Sequence, residues 1–174
     1  IQALDRSTYD VTVTIGAGTF TGGVFITGLG PGTGSVYFTG AGATTIISTT
    51  SAACVYIGGG ARVIPAQMKM QTATSGSCIH AYGGSVTLGA GIEFGACAGT
   101  AHIVAQAGGV VETDVAYTIS GNATYHIYCD NGSVYTGSSK TVTASGARAF
   151  TTFAVAIGTG VIVGIGGTYS GTFT

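Results

Sequence analysis

Short apolar runs recur along the second half of the chain at a spacing of about 24 residues. Successive repeats begin at Cys54, Cys78, His102 and His126, and each opens with a short apolar run followed by a Gly-rich corner. Two more apolar runs complete each repeat, with one-residue slips, and the repeat that begins at Phe150 departs from the pattern. Three short strands and three bends per repeat predict one turn of a coil in which each strand pairs in parallel with its counterpart one turn away.

This pattern predicts an all-β fold, a single-stranded parallel β-helix (solenoid) with about 24 residues per rung, a rung being one turn of the coil. Residues 54–174 are expected to form regular rungs, and residues 1–53 irregular opening rungs with short strands such as Val11–Ile15 and Ser35–Phe38. The only helix candidate is Ile1–Thr8. We expect residues 1–174 to be a single β-helix domain and a piece of a longer chain.

Composition supports a buried β structure and narrows the set of partners. The 174 residues include 32 Gly and only 6% charged residues, too few to solvate the outer faces of helices, while 45% hydrophobic content argues against disorder. A net charge of −1 without a basic run gives no electrostatic footprint for nucleic acid. No apolar run approaches the ~18 residues of a membrane-spanning helix, so we expect no membrane insertion.

Alternation along the first strand of each rung predicts which side chains face the interior. The core ladder is predicted to consist of Val55, Ile57, Ile79, Ala81, Ile103, Ala105, Ile127 and Cys129. The alternate positions are predicted to face outward as an interface strip, formed by Cys54, Tyr56, Cys78, His80, His102, Val104, His126 and Tyr128.

An uncharged, partly aromatic strip of this size is larger than monomers usually expose, so we expect another protein to cover it. The expected partner is a second and third copy of the chain. Three coils packed side by side about a threefold axis would bury the strip and leave Lys69, Glu93 and Lys140 towards solvent. The sequence therefore predicts a homotrimer.

Two carboxylates are low-ranked catalytic candidates. Glu112 and Asp114 lie two residues apart, so on an extended strand they would share one face about 7 Å apart, within the range of inverting glycosidases. Solvated surface carboxylates explain the pair more simply, because a single strand offers a substrate no opposite wall. We assign no other catalytic residue.

The Cys and His residues that begin the repeats have metal-binding side chains. Spaced ~4.8 Å apart in a line, the four would span ~14 Å and could not surround one tetrahedral zinc. Buried interface residues are the expected role, and a Cys54–Cys78 disulfide is the alternative because adjacent strands lie within the required Cα range. We predict no metal and no cofactor.

Tyrosines expected to be exposed could stack on sugar rings, namely Tyr9, Tyr82, Tyr125 and Tyr135. Ice binding would require Thr at one fixed offset in successive rungs. One repeat after Thr72 and Thr74 the chain has Ala96 and Ala98, so that regular array is missing.

Two segments near the start resemble the first rungs of right-handed β-helix proteins such as pectin methylesterases. They are Ile15–Ile26 (Ile-Gly-Ala-Gly-Thr-Phe-Thr-Gly-Gly-Val-Phe-Ile) and Phe38–Ser48. The resemblance implies a right-handed coil. It does not imply esterase activity, because Gly22 stands where those enzymes place a Glu soon after this motif, and an Asp-Phe-Ile-Phe-Gly segment is absent.

Later segments resemble β-helical parts of phage and prophage tail fibre or tailspike proteins, namely Thr74–Cys78, Phe94–Gly99, Tyr117–Gly121 and Thr168–Gly171. This resemblance implies a virion structural protein of the tail, made in the host cytoplasm. It further implies a trimeric, non-catalytic rod used in host-surface attachment, with host cell-surface polysaccharide as a possible partner. The alternative is a polysaccharide-degrading tailspike, a glycan hydrolase or lyase whose active site lies largely outside this chain.

Overall fold

The computed structural model describes residues 8–29, 34–137, 140–164 and 167–174. These residues form twenty β-strands and one short 3₁₀ helix, Gly42–Thr44, so the prediction of an all-β fold is confirmed. Of the predicted opening helix, only Thr8 lies within the described residues, where it forms a turn.

The strands follow one another in groups of three, one group per rung. The first three rungs contain β1 (Val11–Thr14), β2 (Gly18–Phe20), β3 (Val24–Ile26), β4 (Val36–Thr39), β5 (Thr45–Thr49), β6 (Val55–Gly58), β7 (Arg62–Ala66), β8 (Met68–Thr72) and β9 (Ile79–Tyr82). The next three contain β10 (Ser85–Thr87), β11 (Ile92–Cys97), β12 (Ala101–Gln106), β13 (Val110–Thr113), β14 (Tyr117–Ile119), β15 (Tyr125–Cys129), β16 (Val134–Gly137), β17 (Thr141–Arg148) and β18 (Thr152–Ala156). The chain continues with β19 (Val161–Val163) and β20 (Thr168–Phe173).

Corresponding strands of successive rungs stack into three parallel sheets. The first sheet has the order β1-β4-β7-β10-β13-β16-β19, the second β2-β5-β8-β11-β14-β17-β20, and the third β18-β15-β12-β9-β6-β3. The strands make about six rungs of about 25 residues each. The predicted parallel solenoid is therefore confirmed, with an average period slightly longer than the predicted one.

The interior is filled by columns of side chains that repeat once per rung. In the third sheet Val55 pairs with Ile79, Ile79 with Ile103 and Ile103 with Ile127, and all four side chains are buried. Two positions further along, Ile57, Ala81, Ala105 and Cys129 form a second buried column. Because no rung can bury its apolar face alone, stacking of these columns stabilises the fold.

The first rungs follow the same plan with longer corners. Val11 pairs with Val36, and Val24 pairs with Val55. More residues separate Val24 from its partner than separate Val11 from its partner, so the chain takes the longer path around the coil after Val24. Residues added at corners change the spacing but leave each strand in its sheet. This is why the described residues before Cys54 form strands and bends without the regular register of the later rungs.

The corner between the third and first sheets has a left-handed backbone in five successive rungs. The residues that adopt it, with φ between +52° and +63°, are Gly59, Gly83, Ala107, Asn131 and Gly158. Gly adopts this conformation without steric cost and Asn does so at modest cost, whereas Ala pays for its Cβ. Ala107 therefore has a strained backbone, whereas the Gly and Asn residues at the same corner of other rungs do not.

No helix in the described part of the chain combines the length and the apolar character needed to cross a membrane.

Candidate functional site

One row of side chains runs along the outer face of the third sheet. Each member pairs directly with the next, in the order Phe25, Tyr56, His80, Val104, Tyr128 and Val155, and we call these six residues the aromatic row. The row spans five strand spacings, about 24 Å along the coil axis. It contains no Lys, Arg, Asp or Glu.

The rings of the row contact one another along the coil axis. Phe25 and Tyr56 stack with centroids 5.7 Å apart, and Tyr56 meets His80 edge-on at 5.2 Å. His80 also meets Tyr82, which is 49% exposed, at 6.1 Å. Phe25 is 53% exposed, so the row presents aromatic surface to solvent. His80 Nε2 is buried without a hydrogen-bond partner among the described residues, and burial lowers the pKa of this imidazole, opposed by a hydrogen bond with Gln106.

The outer faces of the other two sheets carry polar and charged rows. On the second sheet, Lys69 pairs with Glu93 across neighbouring strands, with Nζ and Oε1 2.8 Å apart, and the row continues through Thr118 and Thr143. On the first sheet, Glu112 stands in a row with Thr87 and Thr136. The first-sheet row also contains Tyr37 and Val163 and the second-sheet row Ile46, so the third-sheet row differs from them in its run of aromatic rings and in having no charged member.

Of the eight side chains predicted to face outward, four face the interior, so that part of the prediction was wrong. Tyr56, His80 and Tyr128 are half-buried on the outer face and Val104 lies beside them, 5% exposed. The other four residues, Cys54, Cys78, His102 and His126, point into the interior and have no exposed surface. We call these four the corner column.

The corner column escaped the alternation rule because it lies where the second sheet gives way to the third. Cys54 and Cys78 precede the first residues of β6 and β9, so strand alternation does not apply to them. In β12 and β15 the backbone turns inward at this point, and the pairing passes from Ala101 with Tyr125 to Ile103 with Ile127. Consecutive residues such as His126 and Ile127 consequently both face the core.

The two histidines of the corner column form a buried hydrogen-bonded pair. Their Nδ1 atoms are 3.0 Å apart, His102 Nε2 lies 2.9 Å from the carbonyl oxygen of Gly95, and the Tyr117 hydroxyl lies 2.8 Å from His126 Nε2. Because a carbonyl only accepts, His102 donates from Nε2 and its Nδ1 accepts from His126 Nδ1. His126 Nε2 then accepts from Tyr117, so every contact is satisfied when both rings are neutral.

Burial keeps this pair uncharged. It lowers the pKa of His102 from 6.5 to about 4, opposed by the hydrogen bond to Gly95, and it lowers the pKa of His126 well below 6.5 together with repulsion from His102. Burial also raises the pKa of Tyr117. Phe94 encloses the pair, with its ring centroid 5.5 Å from each imidazole. The sequence did not reveal this network, because strand alternation predicted that the side chains of His102 and His126 face outward.

Three cysteines line up beside the pair on the same corner. The Cys78 thiol lies near enough to those of Cys54 and Cys97 to shift their pKa values, and all three cysteines are free and buried. Cys54 and Cys78 are thus thiols, not the disulfide that was the alternative prediction. Within the described residues, His, Cys, Asp and Glu side chains nowhere gather in threes suited to holding a metal ion.

A groove of about 800 Å³ runs along the outside of this corner, between the second and third sheets. Small uncharged side chains line most of it. Its lining residues include Ala73, Ala96, Ala98, Asn122, Ala123, Thr124 and Ala149, with Cys97 and Phe150 among them. An uncharged groove of this shape offers hydrogen bonds and van der Waals contact but no electrostatic attraction.

The candidate carboxylates lie elsewhere. Glu112 is on the outer face of the first sheet, where its Oε2 accepts a hydrogen bond of 2.9 Å from Thr87 and lies 3.9 Å from Arg62 Nη2. Asp114 follows β13 and is exposed. Neither carboxylate lines the groove.

The tyrosines predicted to be exposed behave differently from one another. Tyr9 is 75% exposed, Tyr82 is also exposed and Tyr125 is half-buried. Tyr135 is buried, so that prediction was wrong, because it continues the interior column of Val63, Val86 and Val111 in the first sheet. Its hydroxyl lies 2.8 Å from Thr113 Oγ1.

These features define the class of protein: the chain is a parallel β-solenoid with one aromatic outer face. Searches among protein-family models, curated proteins and solved structures found no match. The description of the chain as a parallel β-solenoid is therefore based on its three stacked parallel sheets.

Proposed function

We propose that this chain is a segment of a virion tail fibre or tailspike, in which three copies pack through the aromatic row into a rigid rod that serves host-surface attachment. The observation that carries the proposal is the aromatic row, a row of six uncharged side chains about 24 Å long on the outer face of the third sheet. The number of copies and the role in attachment follow the sequence resemblance to phage and prophage tail fibres.

The contrast between the faces supports burial of the third sheet. Lys69 and Glu93 form an ion pair on the second sheet, and Arg62 lies close to Glu112 on the first. A row with Phe25 half-exposed and no charged member has the composition of an interface centre, where aromatic residues are enriched and charged residues depleted.

The geometry of the row suits side-by-side packing of identical coils. Its residues are in register from β3 to β18, so the apolar surface runs parallel to the coil axis over six strands. A copy aligned along the same axis meets equivalent side chains at every rung. Closed rotational symmetry then covers the strip in every copy and leaves none exposed at an end of the ring.

The test of assembly introduces charge into the aromatic row. In the double variant Tyr56→Lys/Tyr128→Lys, each lost Tyr is expected to cost about 2 kcal/mol of association, roughly thirtyfold in affinity. Light scattering should then give the mass of one 17.0 kDa chain in place of three. The matched control, Thr118→Lys/Thr143→Lys, adds the same charges to the second sheet and should leave the mass at three chains.

The result against the proposal is equally specific. If both double variants and the unmodified protein have the same mass, with unchanged β-sheet circular dichroism, the aromatic row does not mediate assembly. A two-chain mass that falls only in the Tyr56→Lys/Tyr128→Lys variant would keep the interface and replace the trimer by a dimer.

The test of attachment uses purified capsule and lipopolysaccharide from candidate bacterial hosts. Attachment predicts retention of the assembled protein on immobilised polysaccharide without release of oligosaccharides. Release that disappears in Glu112→Gln or Asp114→Asn would replace attachment by cleavage. Failure to bind polysaccharide from any host that adsorbs the virion would contradict the attachment role.

A further inference from the structure

Cys78 and Cys97 stand at the two ends of one rung. Cys78 immediately precedes β9 and Cys97 is the last residue of β11, so the chain passes once around the coil between them. The two residues nevertheless lie close together at the corner between the second and third sheets, where Cys97 Sγ is 3.5 Å from the carbonyl oxygen of Gly76, two residues before Cys78, and the Cys78 thiol is a neighbour that shifts its pKa. A bond between the two sulfur atoms would close a single rung into a ring.

The surroundings of Cys97 favour its thiolate. The Cys78 thiol is the main hydrogen-bond donor, burial opposes it, and the Thr72 hydroxyl and the backbone amides of Gly99 and Cys78 add to it, which lowers the pKa of Cys97 from 9.0 to about 6. Thr72 Oγ1 lies 3.5 Å from Cys97 Sγ. The same sulfur lies 3.1 Å from the carbonyl oxygen of Ala101. When Cys97 is protonated, this oxygen accepts its hydrogen.

The surroundings of Cys78 suit a partner thiol that stays protonated. It is completely buried, and burial raises its pKa well above 9.0, reinforced by Cys54 and Cys97. Cys78 has a single S–H hydrogen, which it can donate to one neighbour at a time or to the carbonyl oxygen of Met70, 3.3 Å away. The pKa values of the two neighbouring cysteines are therefore shifted in opposite directions, that of Cys97 downward and that of Cys78 upward.

Access also separates Cys97 from the other cysteines. Cys97 lines the groove of about 800 Å³ on the outside of the corner, although its own exposed fraction is small. Cys54, Cys78 and Cys129 are absent from the lining of that groove and have no exposed surface. A small oxidant can therefore approach Cys97 first.

We propose that Cys97 is a peroxide-reactive thiol and Cys78 its resolving thiol, so that oxidation closes one rung of the coil with a disulfide. In the first step the Cys97 thiolate attacks hydrogen peroxide, the O–O bond breaks, and Cys97 sulfenic acid and hydroxide form. In the second step the Cys78 sulfur attacks the sulfenic sulfur, the S–O bond breaks, and the Cys78 proton leaves with the hydroxyl group as water. Peroxide is reduced and the two thiols are oxidised.

The direct test is peptide mapping of the unmodified protein after a small excess of hydrogen peroxide. The thiol count should fall from four to two, with the loss of two hydrogen atoms from the intact mass. Trypsin cleaves after Lys69 and separates Cys54 from Cys78, while chymotrypsin cleaves after Tyr82 and Phe94 and separates Cys78 from Cys97. The expected crosslinked peptide joins Cys78 to Cys97.

Variants assign the two roles. Cys97→Ala should abolish the crosslink, and Cys78→Ala should leave a sulfenic acid at Cys97 that dimedone traps. Cys129→Ala is the matched control, because burial raises the pKa of Cys129 to about 11 and it lies away from the groove. This control should form the crosslink at the rate of the unmodified protein.

A second measurement avoids reliance on buried substitutions. In the unmodified protein at pH 7, iodoacetamide should alkylate Cys97 roughly tenfold or more faster than Cys129, because the thiolate is the reactive form. Equal alkylation rates, a bridge between Cys54 and Cys78 instead, or peroxide treatment that leaves all four thiols would each overturn the proposal.

Discussion

The buried histidine pair makes the stability of this coil depend on pH between about 4 and 6.5. The pair is satisfied only when both imidazoles are neutral, because the two Nδ1 atoms lie 3.0 Å apart and one must accept from the other. A proton added to His102 would place two N–H groups face to face. In the unfolded chain, by contrast, both rings are free to take up protons near pH 6.5.

The size of the effect follows from the pKa of His102. Its fall from 6.5 to about 4 corresponds to about 3 kcal/mol, since one unit of pKa is about 1.36 kcal/mol. The unfolded state binds more protons than the folded state in this interval, so this contribution is complete above pH 6.5 and is lost as the pH falls towards about 4. His126 acts in the same direction, and the two rings titrate as a coupled pair.

The assay is denaturant unfolding of the chain, followed by circular dichroism at pH 7.5 and at pH 4.5 with constant ionic strength. The double variant His102→Phe/His126→Phe replaces both histidines by Phe. A Phe already follows them in the column, because the ring centroid of Phe153 is 4.9 Å from that of His126. We expect the unmodified protein to lose at least about 2.5 kcal/mol more than this variant on acidification, because His102 alone contributes that much at pH 4.5 and His126 adds to it.

The control is His80→Phe, which alters the remaining histidine, on the outer face of the third sheet. It should retain most of the pH dependence. If the unmodified protein and His102→Phe/His126→Phe lose the same free energy of unfolding between pH 7.5 and 4.5, the neutral pair is not the source. A gain in stability on acidification would refute the tautomer assignment itself.

Three further substitutions test the packing of the coil, each measured by denaturant unfolding at pH 7.5. Ala107→Gly should stabilise the fold by up to about 1 kcal/mol, because it relieves a residue held at φ +52°; a loss of stability would contradict the strain. Phe94→Ala should cost about 3 to 5 kcal/mol, since the ring is fully buried, whereas Phe20→Ala, at a 39% exposed position, should cost far less. Gly121→Ala should destabilise by about 1 to 3 kcal/mol, because its Cβ would overlap the backbone of the preceding rung, while Gly16→Ala, with open space around it, should be tolerated.

The regular half of the fold could be predicted from the sequence because its corners keep a nearly constant length. Ile79, Ile103 and Ile127 recur at one fixed spacing and pair directly. The opening rungs could not be placed in register, because the path from Val24 to its partner Val55 is longer than this spacing. Strand patterns survive such insertions, whereas periodicity does not.

The candidate site was predicted less well, for two physical reasons. Strand alternation assigns a face only while the backbone is extended, and His102 and His126 lie where it bends inward. The burial of Tyr135 could have been inferred from the strands of the first sheet, where it follows Val111 by one repeat. The contact between Cys78 and Cys97 could not, because it joins two sheets at a corner whose geometry the sequence does not specify.

The mass of the unmodified protein in solution shows whether the aromatic row is buried between copies of this chain, as we propose. Sedimentation equilibrium at micromolar concentration should give three times the 17.0 kDa chain mass. A well-behaved 17.0 kDa monomer at that concentration would contradict burial of the row, since the partly exposed rings of Phe25 and Tyr56 would then not be covered by a second copy.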